Sequence, residues 1–192
     1  MDRKAWDRLV SWSGLIVAIV LILVGSMAIY GGRFGQDNVK DRLAPEMVSF
    51  PPLSAMTADE QQKVGEFAGQ QVTTGPQAEA FARYIQGHLA EVNGGQTYSQ
   101  TSAAARDENT PPKEAADLAI KADILFKGET LRAILLNAYG WWTVATIALW
   151  AGVVMIVAGI AMLVLAILGF RHGRRNRTEV TVVKDDRVPA TV

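Results

Sequence analysis

Two histidines, His88 and His172, are the only side chains of this 192-residue chain whose ordinary titration lies near neutral pH, and there is no cysteine. Without a thiol there can be no thiolate nucleophile, no thiolate metal site and no disulfide. His88 stands beside Leu89 and Glu91 in a stretch of helical spacing and reads as a surface histidine. His172 lies inside an arginine cluster. In the helical stretches between the apolar runs, charges sit as acid-then-base pairs four apart: Asp59/Lys63, Glu79/Arg83, Asp117/Lys121 and Asp123/Lys127. That spacing supports a solvated helix face by about 0.2–0.5 kcal/mol per pair and does not point to paired-carboxylate catalysis. No phosphate loop, dinucleotide fingerprint or nucleophile elbow is present. Gly31-Gly32-x-x-Gly35 is a loose glycine cluster, expected to act as a flexible joint. No catalytic, cofactor-binding or metal-ligating residue is assigned, and no cofactor is expected.

The elements that would position any chemistry are dominated by two apolar runs. Residues 9–32 and residues 133–170 are uncharged throughout. A bilayer core about 30 Å thick takes roughly 20 helical residues to cross. The first run fits one crossing. The second is too long for one crossing and too short for two with a turn. It is read as transmembrane helix 2 at 138–170, with the crossing proper from about Trp142 to Phe170 and a helical lead-in from Leu131 to Trp141. The unbroken series from Leu15 to Val24 leaves no polar face, which argues against a buried helix of a soluble protein.

Basic residues beside the runs set the expected orientation. Arg3, Lys4 and Arg8 precede the first helix, and Arg33, Lys40 and Arg42 follow it, so that helix alone is nearly undecided. Arg171, Arg174, Arg175 and Arg177 follow the second at once and place the C-terminus in the cytoplasm. Two crossings then place the N-terminus there too. Residues 1–8, 33–137 and 171–192 carry net charges of +1, −4 and +3, so overall neutrality hides an acidic exterior between basic ends. This puts His88 and His172 on opposite sides of the membrane, where they cannot share a metal site. The arginine cluster also suits anionic headgroups, at about 1 kcal/mol per base near the surface. It is too short a basic stretch to suggest nucleic acid. Residues 178–192 are expected to be too short to fold alone.

A cleaved signal peptide ending near Ser26-Met27-Ala28 is the competing reading of the N-terminus. The length of the apolar stretch favours an uncleaved anchor. Aromatic residues fall where the interfaces belong: Trp6 and Trp12, Tyr30 and Phe34, Tyr139, Trp141 and Trp142, and Phe170. Trp12, Tyr30, Trp141 and Trp142 are the expected interface anchors, because an amphipathic ring prefers headgroup depth.

Small residues recur every seven positions in both helices. Ser11, Ala18, Gly25 and Gly32 form one series, and Ala138, Ala145, Gly152, Gly159 and Ala166 the other. Helices in lipid associate by close packing, which small residues permit, and a seven-residue period keeps a seam on one side of a left-handed pair. The two seams are expected to pack antiparallel or to face another protein. Neither helix core carries a charged residue or histidine, which argues against a pump or transporter acting alone.

The segment from Arg33 to Asn137 reads as a small helical unit. Pro45, Pro51 and Pro52 predict an extended stretch over Leu43–Leu53. Thr57-Ala58-Asp59-Glu60 is a capping-box pattern opening a helix that carries Val64, Phe67 and Ala68. A second helix opens at Pro76 with Phe81, Ile85, Leu89 and Val92 on one stripe, and ends at Asn93-Gly94-Gly95. A loop is expected around Tyr98, then a helix presenting Leu118, Ala119, Ala122, Leu125 and Phe126, bent at Gly128. The apolar stripes are thin, so a bundle leaning on the membrane or a partner is expected.

The stretch Leu131–Phe170 resembles the second crossing of a group of uncharacterised actinobacterial two-helix membrane proteins, as does the external element Gly94-Gly95-Gln96-Thr97-Tyr98. Members sometimes carry the label aromatic ring-opening dioxygenase, which does not suit a chain without the histidine and acid cluster of an iron site. The resemblance implies a bacterial cell envelope and this architecture, and no activity.

The expected fold class is therefore an all-α membrane protein, two antiparallel transmembrane helices with a small helical extracytoplasmic domain between them. The expected role is a non-enzymatic accessory or scaffold subunit of a larger plasma-membrane complex, respiratory, transport or envelope-building. Its partners would be the lipid bilayer and other integral membrane subunits. The alternatives are a membrane-anchored extracytoplasmic sensor and an external enzyme or ligand-binding domain.

Overall fold

The structure, a computed structural model, describes the backbone of residues 3–185 and the side chains of Trp6 and of residues 9–171. It is all-helical, with no strand among the described residues. Five α-helices follow in order: α1 (Arg3–Leu43), α2 (Ala58–Val64), α3 (Gly75–Val92), α4 (Tyr98–Ala105) and α5 (Pro112–Asp185). One-turn 3-10 helices sit at Ala44–Glu46, Leu53–Ala55 and Gly65–Phe67. Both long helices are long and apolar enough to cross a membrane, with mean hydropathies of 2.5 and 2.9 in their most apolar stretches. Only 11% of each such stretch is buried, whereas the core helix of a soluble protein would be mostly covered.

The chain divides into two compact units, one of Met1–Gly32 with Ile147–Val192 and one of Arg33–Thr146. In the first unit the outward positions of both helices are large and apolar: Ile16, Val20, Leu23, Met27, Trp150, Val154, Val157 and Leu165 are all exposed. The buried positions there are small residues.

The second unit has a core in which large and small residues interlock: Phe50, Met56, Val64, Val72, Ala78, Ala80, Ala82 and Leu135. Phe50 stacks on Phe67 with centroids 5.5 Å apart and meets Phe81 edge-on at 5.1 Å. The lead-in expected to be extended over Leu43–Leu53 begins with a 3-10 turn at Ala44–Glu46 and is free of helix from Val48 to Pro52. What stays extended is clipped to the segment before α3. Ser49 bridges Gln71, Val72 N–H donates to Val48 O (2.8 Å) and Phe50 N–H to Gln70 O (2.9 Å). Backbone groups excluded from a helix here find partners across the chain.

Caps start the short helices. Thr57, Thr74 and Thr97 each accept from the backbone N–H three residues on, and Glu60, Gln77 and Gln100 return the bond. The loop expected around Tyr98 is thus a helix, α4, opened by a capping box that Thr97-x-x-Gln100 announces. Gly94 and Gly95 take φ of 60° and 81°, the left-handed region in which glycine carries no Cβ penalty, and turn the chain after α3. Helix is continuous through both glycine sites. Gly128 lies within unbroken α5, where its missing side chain makes room for Leu89, and Gly31–Gly35 lie within unbroken α1. Three of the four acid–base pairs form, at 2.6–2.9 Å. Lys121 instead donates to Asn93 Oδ1 (3.2 Å), and Asn93 Nδ2 donates to Thr101 Oγ1 (2.9 Å), tying α3 to α4 and α5.

Candidate functional site

Helix axes approach most closely where nothing beyond a Cβ stands between them. On α1, Ser11, Ala18, Gly25 and Gly32 are buried; on α5, Ala145, Gly152, Gly159 and Ala166 are buried and Ala138 is half-buried. In the first unit a Cβ on Gly25 would lie 2.8 Å from the Gly152 carbonyl oxygen, and one on Gly152 would lie 2.5 Å from the Gly25 carbonyl oxygen. A Cβ on Gly159 would lie 3.0 Å from Ala18 O and 2.8 Å from Ile22 Cγ1. Gly14 meets Ala166 at ordinary contact distance, 3.8 Å, and a Cβ on Gly169 would stand 2.6 Å from Ser11 Oγ. The obstacles at Gly25 and Gly152 include backbone, which cannot swing aside as a side-chain tip can.

The same mode of contact appears in the second unit, where a Cβ on Gly35 would lie 2.8 Å from Ala145 Cβ. Beside it Gln36 Nε2 donates to Thr146 Oγ1 (2.9 Å), and that hydroxyl donates to Trp142 O (2.8 Å).

Of the expected interface anchors, Trp12, Tyr30 and Trp141 are exposed. Trp12 also meets Phe170 edge-on at 5.7 Å. Trp142 is half-buried and is a packing residue of the second unit: the backbone of Gly75, at the start of α3, lies against its Cβ and Cγ with no room for a side chain. No sequence signal pairs Gly75 with Trp142. Arg171 is exposed, and the side chains of Arg174, Arg175 and Arg177 lie outside the described residues.

Titratable groups gather loosely at two places in the second unit. Glu60 Oε2 accepts from Thr57 N–H (2.7 Å), and this bond, then the Thr57 hydroxyl, holds its carboxyl below the ordinary carboxylate range. His88 Nε2 lies 3.5 Å from Glu60 Oε1, and the Tyr84 ring lies 4.5 Å from the His88 ring. Burial, then the Glu60 charge, pushes the Tyr84 phenol up. The group ties α2 to α3. The second place is an open cleft of about 290 Å³ between α4 and α5, lined by Ala105, Ala122 and the Tyr98 and Phe126 rings, whose centroids are 5.4 Å apart. Arg106 donates to Ser102 Oγ (3.3 Å), and Asp123 pairs with Lys127 (2.7 Å). Among the described residues no three His, Asp or Glu side chains converge on a point that could hold a metal.

Comparison with protein-family models, with curated proteins and with solved structures finds no match to this chain.

Proposed function

We propose that the chain is a two-crossing membrane protein whose helices pair antiparallel through their glycine seams, and that it serves as a non-enzymatic subunit of a larger membrane assembly. The observation that carries the reading is the contrast around each helix of the first unit. One face is closed by backbone-to-backbone contact at Gly25, Gly152 and Gly159, and the rest is large, apolar and exposed. Lipid suits such an outer face, and water does not. The pairs Gly14–Ala166, Ala18–Gly159 and Gly25–Gly152 run in opposite residue order, as antiparallel helices require.

Gly35–Ala145 and Gln36–Thr146 lie at one level, just beyond the first charge, Arg33. This supports placing the outer edge of the second crossing near residues 145–146, a few residues inside the Trp142 expected for the crossing proper. Crossings of 9–32 and 146–170 then match in length, and the basic residues that follow Phe170 support cytoplasmic ends. An extracytoplasmic unit built on Phe50 and Val72 has a core of its own and leaves the α4–α5 cleft open. That cleft favours, as the second reading, a ligand-binding or sensing role.

The test is gentle detergent extraction of the tagged protein from its host, followed by native gel and mass spectrometry. Stoichiometric co-purification with other integral membrane subunits is the expected result. A chain that always migrates as a bare monomer counts against the subunit reading and directs attention to the cleft.

A further inference from the structure

The cleft between α4 and α5 is shaped by residue spacing. On α4, Tyr98, Ser102 and Arg106 stand four apart and share one face; on α5, Ala119, Ala122 and Phe126 stand three and four apart and do the same. The Tyr98 and Phe126 rings meet at 5.4 Å, tilted by 50°, and both stay exposed, at 40% and 54%. Next to the rings each helix carries small side chains, Ser102 and Ala105 on one and Ala119 and Ala122 on the other, and these leave the hollow. Asn93 fixes the spacing of the two helices, since it donates to Thr101 of α4 and accepts from Lys121 of α5.

The two charges that line the cleft differ in what they still lack. Asp123 pairs with Lys127. Arg106 makes no ion pair among the described residues. The carboxylate of neighbouring Asp107 accepts instead from the backbone N–H and Nδ2 of Asn109 (2.8 and 2.9 Å). The guanidinium is not spent on the end of α4 either, where Thr110 Oγ1 donates to Ala104 O (2.9 Å). Its one bond runs from Nη2 to Ser102 Oγ, which itself donates to Ser99 O (3.3 Å). A guanidinium offers five N–H groups in a fork that fits a carboxylate. By reaching back to Ser102 it comes within one turn of Tyr98, roughly 6 Å along the axis at ~1.5 Å per residue.

We propose that the cleft binds a small organic acid, its apolar body on the Tyr98 and Phe126 rings and its carboxylate on Arg106. The proposal deepens the ligand-binding reading of the cleft and rests on it. A cationic ligand would find Asp123 already matched by Lys127, and a neutral one would leave the Arg106 fork unused. At about 290 Å³ the cleft stands at the low end of small-molecule sites, which run from about 300 to 1,000 Å³. One ring with a short acid arm suits that size and the single turn between Tyr98 and Ser102.

The test titrates phenylacetate and its neutral counterpart phenylacetamide against the full chain in lipid nanodiscs, by ligand-observed NMR with empty nanodiscs as the blank. The acid is expected to bind about three- to fivefold more tightly than the amide, the range that an exposed ion pair allows. Arg106→Gln should lower the acid to the affinity of the amide and leave the amide unchanged, which also shows that the variant is folded. Arg106→Lys should keep part of the preference, and Asp123→Asn should strengthen binding of the acid. Ala119→Leu, at an exposed position, should fill the cleft and weaken both ligands. Equal affinities that Ala119→Leu still weakens, or a preference that survives Arg106→Gln, overturn the acid proposal and leave the ligand-binding reading standing. No binding of either ligand, or binding that Ala119→Leu does not change, overturns both.

Discussion

In the first unit the buried positions of the two long helices are Ser11, Ala18, Gly25, Gly32, Gly152, Gly159 and Ala166. In the second unit the same helices bury large residues as well as small ones, Val39, Leu125 and Leu135 with Ala122 and Ala145, and the segments between them add Phe50, Met56, Val64 and Val72 with Ala78, Ala80 and Ala82. On the membrane reading proposed above, the difference follows from the solvent each unit would meet. In water, removing large apolar side chains from solvent is the main driving force, at roughly 25 cal/mol per Å², and a core gains by being bulky. In lipid that force vanishes between helices, and what remains is packing and polar contact, which favour the smallest side chains. One helix, α5, changes from one rule to the other along its length.

That comparison breaks most visibly at the seam. Gly152→Leu with Gly159→Leu places side chains against the carbonyl oxygens of Gly25 and Ala18. At about 3 kcal/mol per site, the upper end of ordinary overpacking, the pair should cost roughly 6 kcal/mol. Loss of the native form in graded detergent unfolding checks it, and unchanged unfolding would remove the seam from the account. In the second unit the sign of the size rule reverses, and Phe50→Ala should cost about 3–5 kcal/mol through a cavity between Phe67 and Phe81. A thermal melt followed by near-ultraviolet dichroism reads it. Gly75→Ala sharpens the comparison, because it transplants the seam's intolerance of a Cβ into the bulky unit. A loss of about 1–3 kcal/mol is expected, together with a shift in Trp142 fluorescence.

Smaller effects belong to the solvated faces. Lys63→Ala should change stability by no more than about 0.3–0.5 kcal/mol, since Asp59 and Lys63 are both well exposed. Glu60 adds a pH signature. Its pKa in the folded chain lies below the ordinary 4.5 because of the Thr57 bonds, so its contribution to the α2 cap is present above that value. It is lost as pH falls through the lowered value. Amide exchange at the start of α2 should therefore quicken in acid, and Glu60→Gln should flatten that dependence; an equal acid response in the variant would assign it elsewhere.

Much of the second unit was legible locally. Thr57-x-x-Glu60 and Thr74-x-x-Gln77 mark helix starts, and Asn93-Gly94-Gly95 marks an end, because caps and left-handed turns are satisfied within a few residues of themselves. Thr97-x-x-Gln100 carries the same signal for α4, where a loop around Tyr98 was expected. The seven-residue series was legible too, since period alone shows which residues share a face. What each face meets was not.

Composition and order along the chain determined the two apolar runs, the clustered arginines, the helix caps and the shared faces of small residues, because each is set by neighbours within a turn or two. The tertiary structure decided that Gly25 meets Gly152, that Trp142 closes on Gly75 and serves packing, that Lys121 leaves Asp117 for Asn93, and that Leu135 joins the core of Phe50. Those contacts join residues tens of positions apart. Their partners are chosen by the packing of the whole unit, which no local pattern contains.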